Sequence, residues 1–188
     1  MQGVQERGPP VPARSLRKRD ETASDTTFRF ELFSRSRLPM EDLSFLEAAM
    51  RETLLRQQFQ GQTLTYRAQY PDALFEIIEA DERPIGRLVT QQGSDAFLVV
   101  DVAILPEWRG KGIGAHFLRE ICDAARARSL PVRLALSPFN VDAMRLYSRL
   151  GFSPVGQDEI QIFMEWRAPQ DAAVQTGPFE TPKGACDG

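Results

Sequence analysis

A mixed α/β fold, with a central and mostly antiparallel sheet of six or seven strands and about four helices, is what the sequence predicts. Strand-like and helix-like stretches alternate from about residue 95 onward, a pattern that sets strands side by side in parallel. Ahead of them, "ALFEIIEA" and "PIGRLVTQQ" flank the turn "DERP", which makes an antiparallel hairpin. The chain has 188 residues, of which 42% are hydrophobic and 26% charged, an ordinary globular composition for one domain with tails.

Taken in order, "FRFELF" (Phe28–Phe33) alternates and is rich in aromatics, which predicts a first strand. Pro39 opens a helical stretch in which Leu43, Leu46, Met50, Leu54 and Leu55 recur at helical spacing, giving one or two helices to about Phe59. After the hairpin, "DAFLVVDVAIL" is nearly continuous in apolar residues, as a central strand should be. A helix follows from about Gly112 to Arg128, then the strand "PVRLALS", then a helix over Pro138–Leu150. "FSPVGQ" and "EIQIFMEW" close the chain as a strand pair. The ordered domain is expected over residues 27–167, with disordered tails at 1–26 and 168–188 that are polar, Pro-rich and without periodicity.

Several function classes are disfavoured by inventory. A net charge of −3 argues against bulk electrostatic binding of nucleic acid. "AFLVVDVAIL" is about half the roughly 20 residues a spanning helix needs, and it contains Asp101, so no membrane partner is expected. The N-terminal stretch has no apolar run of the secretory kind. Two cysteines, Cys122 and Cys186, make neither a disulfide framework nor a metal cluster, which points to no metal and to a reducing, cytoplasmic setting. A single histidine, His116, leaves no hydrolase triad and no histidine-rich metal site.

The stretch "WRGKGIGAHFL" carries the functional signal. Gly110, Gly112 and Gly114 stand between a central strand and a helix. A helix N-terminus offers unsatisfied N–H groups and about half a positive charge, and glycine lets a phosphate come close to them. Arg109 and Lys111 add cations at the same place. A glycine turn that only packs the helix near the sheet is the plain alternative. The Walker pattern fails because no Lys–Ser/Thr pair follows the glycines. A dinucleotide fingerprint matches in letters, yet the next strand ends "LALS", without the carboxylate that would hold a ribose.

"VAILPEWRGKGIGAHFL" resembles the acyl-CoA-binding motif of the GNAT N-acetyltransferase superfamily, [RQ]-x-x-G-x-[GA], with Arg109, Gly112 and Gly114 at its fixed positions. "NVDAMRLYSRLGF" is similar to the superfamily's second signature, matched by Asn140, Ala143, Leu146, Tyr147, Leu150, Gly151 and Phe152. The resemblance implies a GNAT fold whose central strand splays from its parallel neighbour, with acetyl-CoA as acyl donor. It implies that Val102, Ala103 and Ile104 bond the pantetheine arm, and that Arg109, Gly110, Lys111, Gly112, Ile113, Gly114 and Ala115 hold the pyrophosphate. The acceptor would be a primary amine of a small molecule or peptide, acetylated directly in a ternary complex, because no covalent nucleophile is persuasive.

Asn140 and Tyr147 lie seven residues apart, nearly two helical turns, and so share a helix face. The resemblance gives Tyr147 the role of proton donor to the departing thiolate, from a phenol with pKa about 10 to a thiolate whose thiol has pKa about 8.5. The alternatives are a core aromatic for Tyr147 and a helix cap for Asn140, counted here with the cofactor residues. For the general base, family members carry a Glu five residues before the Asn, where this chain has Ala135. Asp101, a carboxylate in an apolar strand, is the candidate base, with pairing to an arginine as its other reading. Glu76 and Glu79 are weaker. Trp108, Trp166 and Cys122 read as packing residues and His116 as a surface or packing residue. Gln57, Gln58, Gln60 and Gln62, with residues 40–66 and 156–160, are expected around the acceptor, where Asp158 and Glu159 hint faintly at a cationic amine. A non-catalytic acyl-CoA-binding module is the competing function, and a homodimer is left open.

Overall fold

The computed structural model describes residues 15–36 and 46–169. Most of the two expected tails, residues 1–14 and 170–188, lies outside the described residues, as does Cys186. The elements run β1 (Leu16–Asp20), α1 (Thr26–Ser36), α2 (Ala48–Gln69), β2 (Leu74–Ala80), β3 (Arg83–Gln92), β4 (Phe97–Ile104), α3 (Ile113–Arg126), β5 (Val132–Leu136), α4 (Val141–Arg149), β6 (Ser153–Gln157) and β7 (Ile162–Trp166). The seven strands stand in the order β1-β2-β3-β4-β5-β7-β6, antiparallel at β1–β2, β2–β3, β5–β7 and β6–β7, and parallel at β4–β5. This is the mixed, mostly antiparallel α/β sheet that the sequence predicts, with four α-helices among the described residues. The chain divides into two compact units.

The first unit holds the described residues up to Gln91 together with Val100–Gly114. Two expectations fail here. "FRFELF" is not a strand; it lies in α1. Its start is fixed by the preceding "TASD", where the Asp25 carboxylate accepts from the Thr22 N–H at 2.8 Å, a reciprocal cap that outweighs the alternation. Arg29, Leu32 and Phe33 then turn inward at helical spacing, while Phe30 and Phe33 pack their rings 5.6 Å from Phe59 of α2. The real first strand is β1, "LRKRD", inside the stretch expected to be a disordered tail, so ordered structure begins before residue 27. It shows no hydrophobic alternation because cross-strand ion pairs dock it: Arg17 and Arg19 reach Glu79 at 2.7 Å and Lys18 reaches Glu76 at 3.3 Å.

Helix α2 also runs about ten residues beyond Phe59, through a polar stretch with good helix formers. The expected helix start near Pro39 lies outside the described residues. Between β2 and β3 the turn residues Asp81 and Glu82 both adopt positive φ, 48° and 66°, the two-residue hairpin geometry whose twist suits the flanking strands. Ile77, Ile78, Ile85, Leu88 and Val89 of this hairpin are buried and, with Leu32, form the core of the unit.

Gln92–Val99 and the chain from Ala115 make the second unit. Helix α3 buries Ile113, Phe117, Leu118, Ile121, Cys122 and Ala125, a stripe at helical spacing. Val132 and Leu134 of β5 and Met164 of β7 are buried as well. The parallel ladder pairs Phe97, Leu98 and Val99 with Val132, Arg133 and Leu134. Arg133 ties the edge of this unit by donating to Glu165 at 2.8 Å and to Asp95 at 2.7 Å.

Candidate active site

In the first unit the C-terminal half of β4 delivers Asp101, Val102, Ala103 and Ile104 in succession. Gly86 of β3 lets β4 approach closely: a Cβ there would meet the Ala103 carbonyl oxygen at 2.6 Å. Leu105 adds a backbone bond to Ile85 at 2.9 Å. The chain then turns through Pro106–Trp108 into the glycine loop. Gly110 and Gly112 take φ of +73° and +78°, and a Cβ at either would touch nothing within 4 Å. The glycines are therefore not there to relieve crowding. They set a left-handed backbone in an exposed loop that ends at the first turn of α3, the arrangement that turns successive N–H groups toward an anion.

The flanking cations are partly engaged. Arg109 donates from Nε to the Ile104 carbonyl at 2.8 Å, which fastens the loop to the end of β4. Lys111 carries its Nζ 4.9 Å from the centre of the Trp108 ring, so Trp108 serves as its platform. Ile113 is buried at the helix start, Gly114 follows it in the first turn, and Ala115 is buried too. The loop has the free space, backbone and charge that a pyrophosphate requires, and no carboxylate side chain between Trp108 and His116.

Asp101 stands beside a cavity of about 110 Å³ whose wall includes Arg29, Ser36, Gln62, Arg87 and Ala103. About a quarter of its side chain (26%) remains exposed, and Arg87 reaches it from Nη1 at 3.4 Å. Burial pushes the Asp101 carboxyl up, with Arg87 and the Val102 N–H opposing. Next to it lies an ion cluster whose members are far apart along the chain. The Glu21 carboxylate, 1% exposed, accepts from Arg87 at 2.7 Å, Arg67 at 2.9 Å and Arg29 at 3.1 Å. Burial, helped by Asp101, pushes the Tyr66 phenol up to about 12, and Gln62 donates to its oxygen at 3.4 Å. Gln62 thus takes a place in the cavity wall, whereas Gln57, Gln58 and Gln60 are exposed.

The other carboxylates considered as a base are committed. Glu79 is buried, and although burial alone would raise its pKa, the bonds from Arg19 and Arg17 hold it below the usual range. Glu76 faces Lys18. In the second unit Asn140 is the N-cap of α4, its Oδ1 accepting the Ala143 N–H at 3.2 Å, so the capping reading of that residue is met in the structure. Tyr147 is buried at 6%, with its ring 5.6 Å from that of Phe152. His116 is half-exposed and pairs with Glu120 at 3.2 Å. Burial pushes the Cys122 thiol up to about 12, which makes it a packing group and no nucleophile. Asp158 accepts from the N–H groups of Ile160 and Gln161 at 2.9 and 2.7 Å, so it shapes a turn. Trp166 is buried with Arg126 over its ring.

Among the described residues no group of three or more His, Cys, Asp or Glu could hold a metal ion, and no helix is long and apolar enough to cross a membrane.

Known proteins share this architecture. The profile of the acetyltransferase (GNAT) family matches residues 40–152. Thialysine N-epsilon-acetyltransferase of Bos taurus is 29% identical over 120 residues, covering 57% of this chain and 68% of that protein. Among solved structures, the PaiA N-acetyltransferase of Thermoplasma acidophilum in complex with coenzyme A aligns with a TM-score of 0.63 and 21% identity, over 82% of this chain and 99% of that one. An acetyltransferase from Thermus thermophilus aligns with a TM-score of 0.60 and 18% identity, over 83% and 99% of the two chains. These structural likenesses establish the fold, and the sequence profile covers more than half of the chain. The chain belongs to the acetyltransferase (GNAT) family, enzymes that use acetyl-CoA as acyl donor.

Proposed function

We propose that this protein moves an acetyl group from acetyl-CoA to a primary amine of a small molecule or peptide, directly and in a ternary complex. The observation that carries the proposal is the succession, within one compact unit, of a strand end with a carboxylate beside a cavity and a left-handed glycine loop opening a helix. Acetyl-CoA supplies an activated acetyl thioester.

The roles proposed for the chain's own residues draw on the family resemblance and on the geometry of the first unit. The N–H groups of Gly110–Ala115, with Lys111, hold the pyrophosphate, and Arg109 fixes that loop to β4. Val102, Ala103 and Ile104 offer backbone groups to the pantetheine amides. Asp101 accepts the proton of the acceptor ammonium; its raised pKa suits a base that must take a proton near neutral pH better than an ordinary aspartate would. Tyr147 gives its proton to the departing thiolate, a role that rests on its match to the family's second signature. Asn140 fixes the start of α4, the helix that carries Tyr147.

The domain so proposed starts at β1 rather than at residue 27. A cytoplasmic setting is proposed with it, on the absence of a disulfide framework in the sequence. The test is release of free thiol from acetyl-CoA in the presence of a panel of amines. Amine-dependent release that Asp101→Asn reduces supports the assignment, and release indifferent to that substitution removes Asp101 from it.

A further inference from the structure

The cavity beside Asp101 carries unmatched groups of two kinds. On one side are donors that lack acceptors. Arg29 is 8% exposed; its Nη1 pairs with Glu21 at 3.1 Å and its Nη2 donates to Thr63 at 2.9 Å, but its Nε finds no acceptor among the described residues. The Ser36 hydroxyl, buried in the same wall, also has no partner there. On the other side, among the described side chains Asp101 is met by Arg87 in a long 3.4 Å contact. Buried polar groups in native proteins are rarely left this way, and those that are call for an explanation.

Charge gives the same reading. Glu21 is shared by three guanidiniums, of which Arg67 is half-exposed while Arg29 and Arg87 are not, with side chains 9% and 7% exposed. Adding Asp101 gives three cations against two anions among the described residues of this cluster. The neighbouring cluster does not offset the excess, because Arg17 and Arg19 are answered by Glu79 and Asp25. Arginine does not shed its proton to escape burial. Burial, with Arg87 and Arg67 beside it, presses the Arg29 pKa down against the pull of Glu21 and Asp25.

Resting on the acetyltransferase reading above, we infer that the acceptor is a compact amine that carries its own carboxylate: the ammonium meets Asp101, and the carboxylate meets Arg29 and Ser36. A guanidinium is suited to a planar carboxylate, and the Ser36 hydroxyl can turn to donate. The cavity has room for several waters' worth of ligand, enough for the polar end of an amino acid.

Amine pairs that differ in the carboxylate test this: β-alanine against n-propylamine, L-alanine against isopropylamine, and L-lysine against cadaverine. Thiol release from acetyl-CoA is measured for each, alongside thermal unfolding with acetyl-CoA alone. One charge-assisted contact predicts a kcat/KM at least about tenfold higher for the carboxylate-bearing member of a pair. Arg29→Gln should erase that preference mainly through KM, Arg29→Lys should restore part of it, and Ser36→Ala should reduce it with the fold intact. Equal rates across every pair, or a preference for the plain amines, would overturn the inference and leave the acetyltransferase reading standing; no acetylation of any amine would overturn both, and a melting shift with acetyl-CoA would then point to a non-catalytic binding module. Loss of that shift brings down both.

Discussion

The two side chains assigned to proton transfer make distinct predictions. Tyr147→Phe keeps the buried ring against Phe152 and removes only the hydroxyl. The expected result is a kcat lower by about 10²-fold or more with acetyl-CoA affinity unchanged, read by steady-state kinetics beside a binding titration. An unchanged kcat would make Tyr147 a core aromatic. For Asp101 the prediction is a pH profile. Burial raises its pKa, and a base acts only when deprotonated. The acidic limb of kcat/KM should therefore fall at a pH above the value of about 4 usual for aspartate, and Asp101→Asn should remove that limb along with most of the rate.

Residues also differ in how far sequence could place them. Asp101 could be singled out because a carboxylate interrupts an apolar strand, and Arg109 because it sits in a short motif. Glu21, Arg29 and Arg87 could not. They come from β3, α1 and the segment between β1 and α1, and their meaning lies in their convergence, which spacing along the chain does not encode. Ser36 gave no sequence signal at all.

Among the elements, the glycine loop offers the sharpest test. Alanine at position 112 would meet no neighbour, so Gly112→Ala isolates the strain of a left-handed φ, about 1–2 kcal/mol for a residue with a Cβ. Acetyl-CoA affinity should drop by about tenfold with little change in melting temperature, because an exposed loop can relax only by losing the conformation that binds. Unchanged affinity would mean that the loop does not hold the pyrophosphate. The start of α1 supports a second prediction. The Arg19 guanidinium beside Asp25 holds that carboxyl well below the usual carboxylate range. A depressed folded-state pKa contributes stability above the unfolded value of about 3.9, and this is lost as pH falls below it. Asp25→Ala should cost about 1–2 kcal/mol near neutral pH, since Arg19 is partly exposed and what is lost is mainly the cap and its charge-assisted bonds, and should flatten the acid slope of the melting temperature.

The same helix explains why the first third of the chain was misread. "FRFELF" satisfies period two in its aromatics, yet the cap at Thr22 and Asp25 decides for a helix. β1 is held to β2 by ion pairs, and charged residues without alternation resemble a solvated tail until the partner strand is known. From β4 onward the elements were legible because strand, glycine loop, amphipathic helix and the second signature follow one another without a long-range device. α3 shows why: its buried stripe from Ile113 to Ala125 is written in residues three and four apart.

For the molecule as a whole, membership in the acetyltransferase family rests on the profile match over residues 40–152, and the mixed seven-stranded sheet agrees with it. What the fold leaves to be decided is which loop holds the donor and which cavity takes the acceptor. We propose the first compact unit for both. Thermal unfolding in large excess of acetyl-CoA, with NAD as the control, tests whether the chain binds the donor. At 100 times the dissociation constant acetyl-CoA should stabilise the native chain by about 2.7 kcal/mol, a shift of a few degrees for a protein of this size, and NAD should leave the melting temperature where it was. No shift with acetyl-CoA, or an equal shift with NAD, would contradict the account.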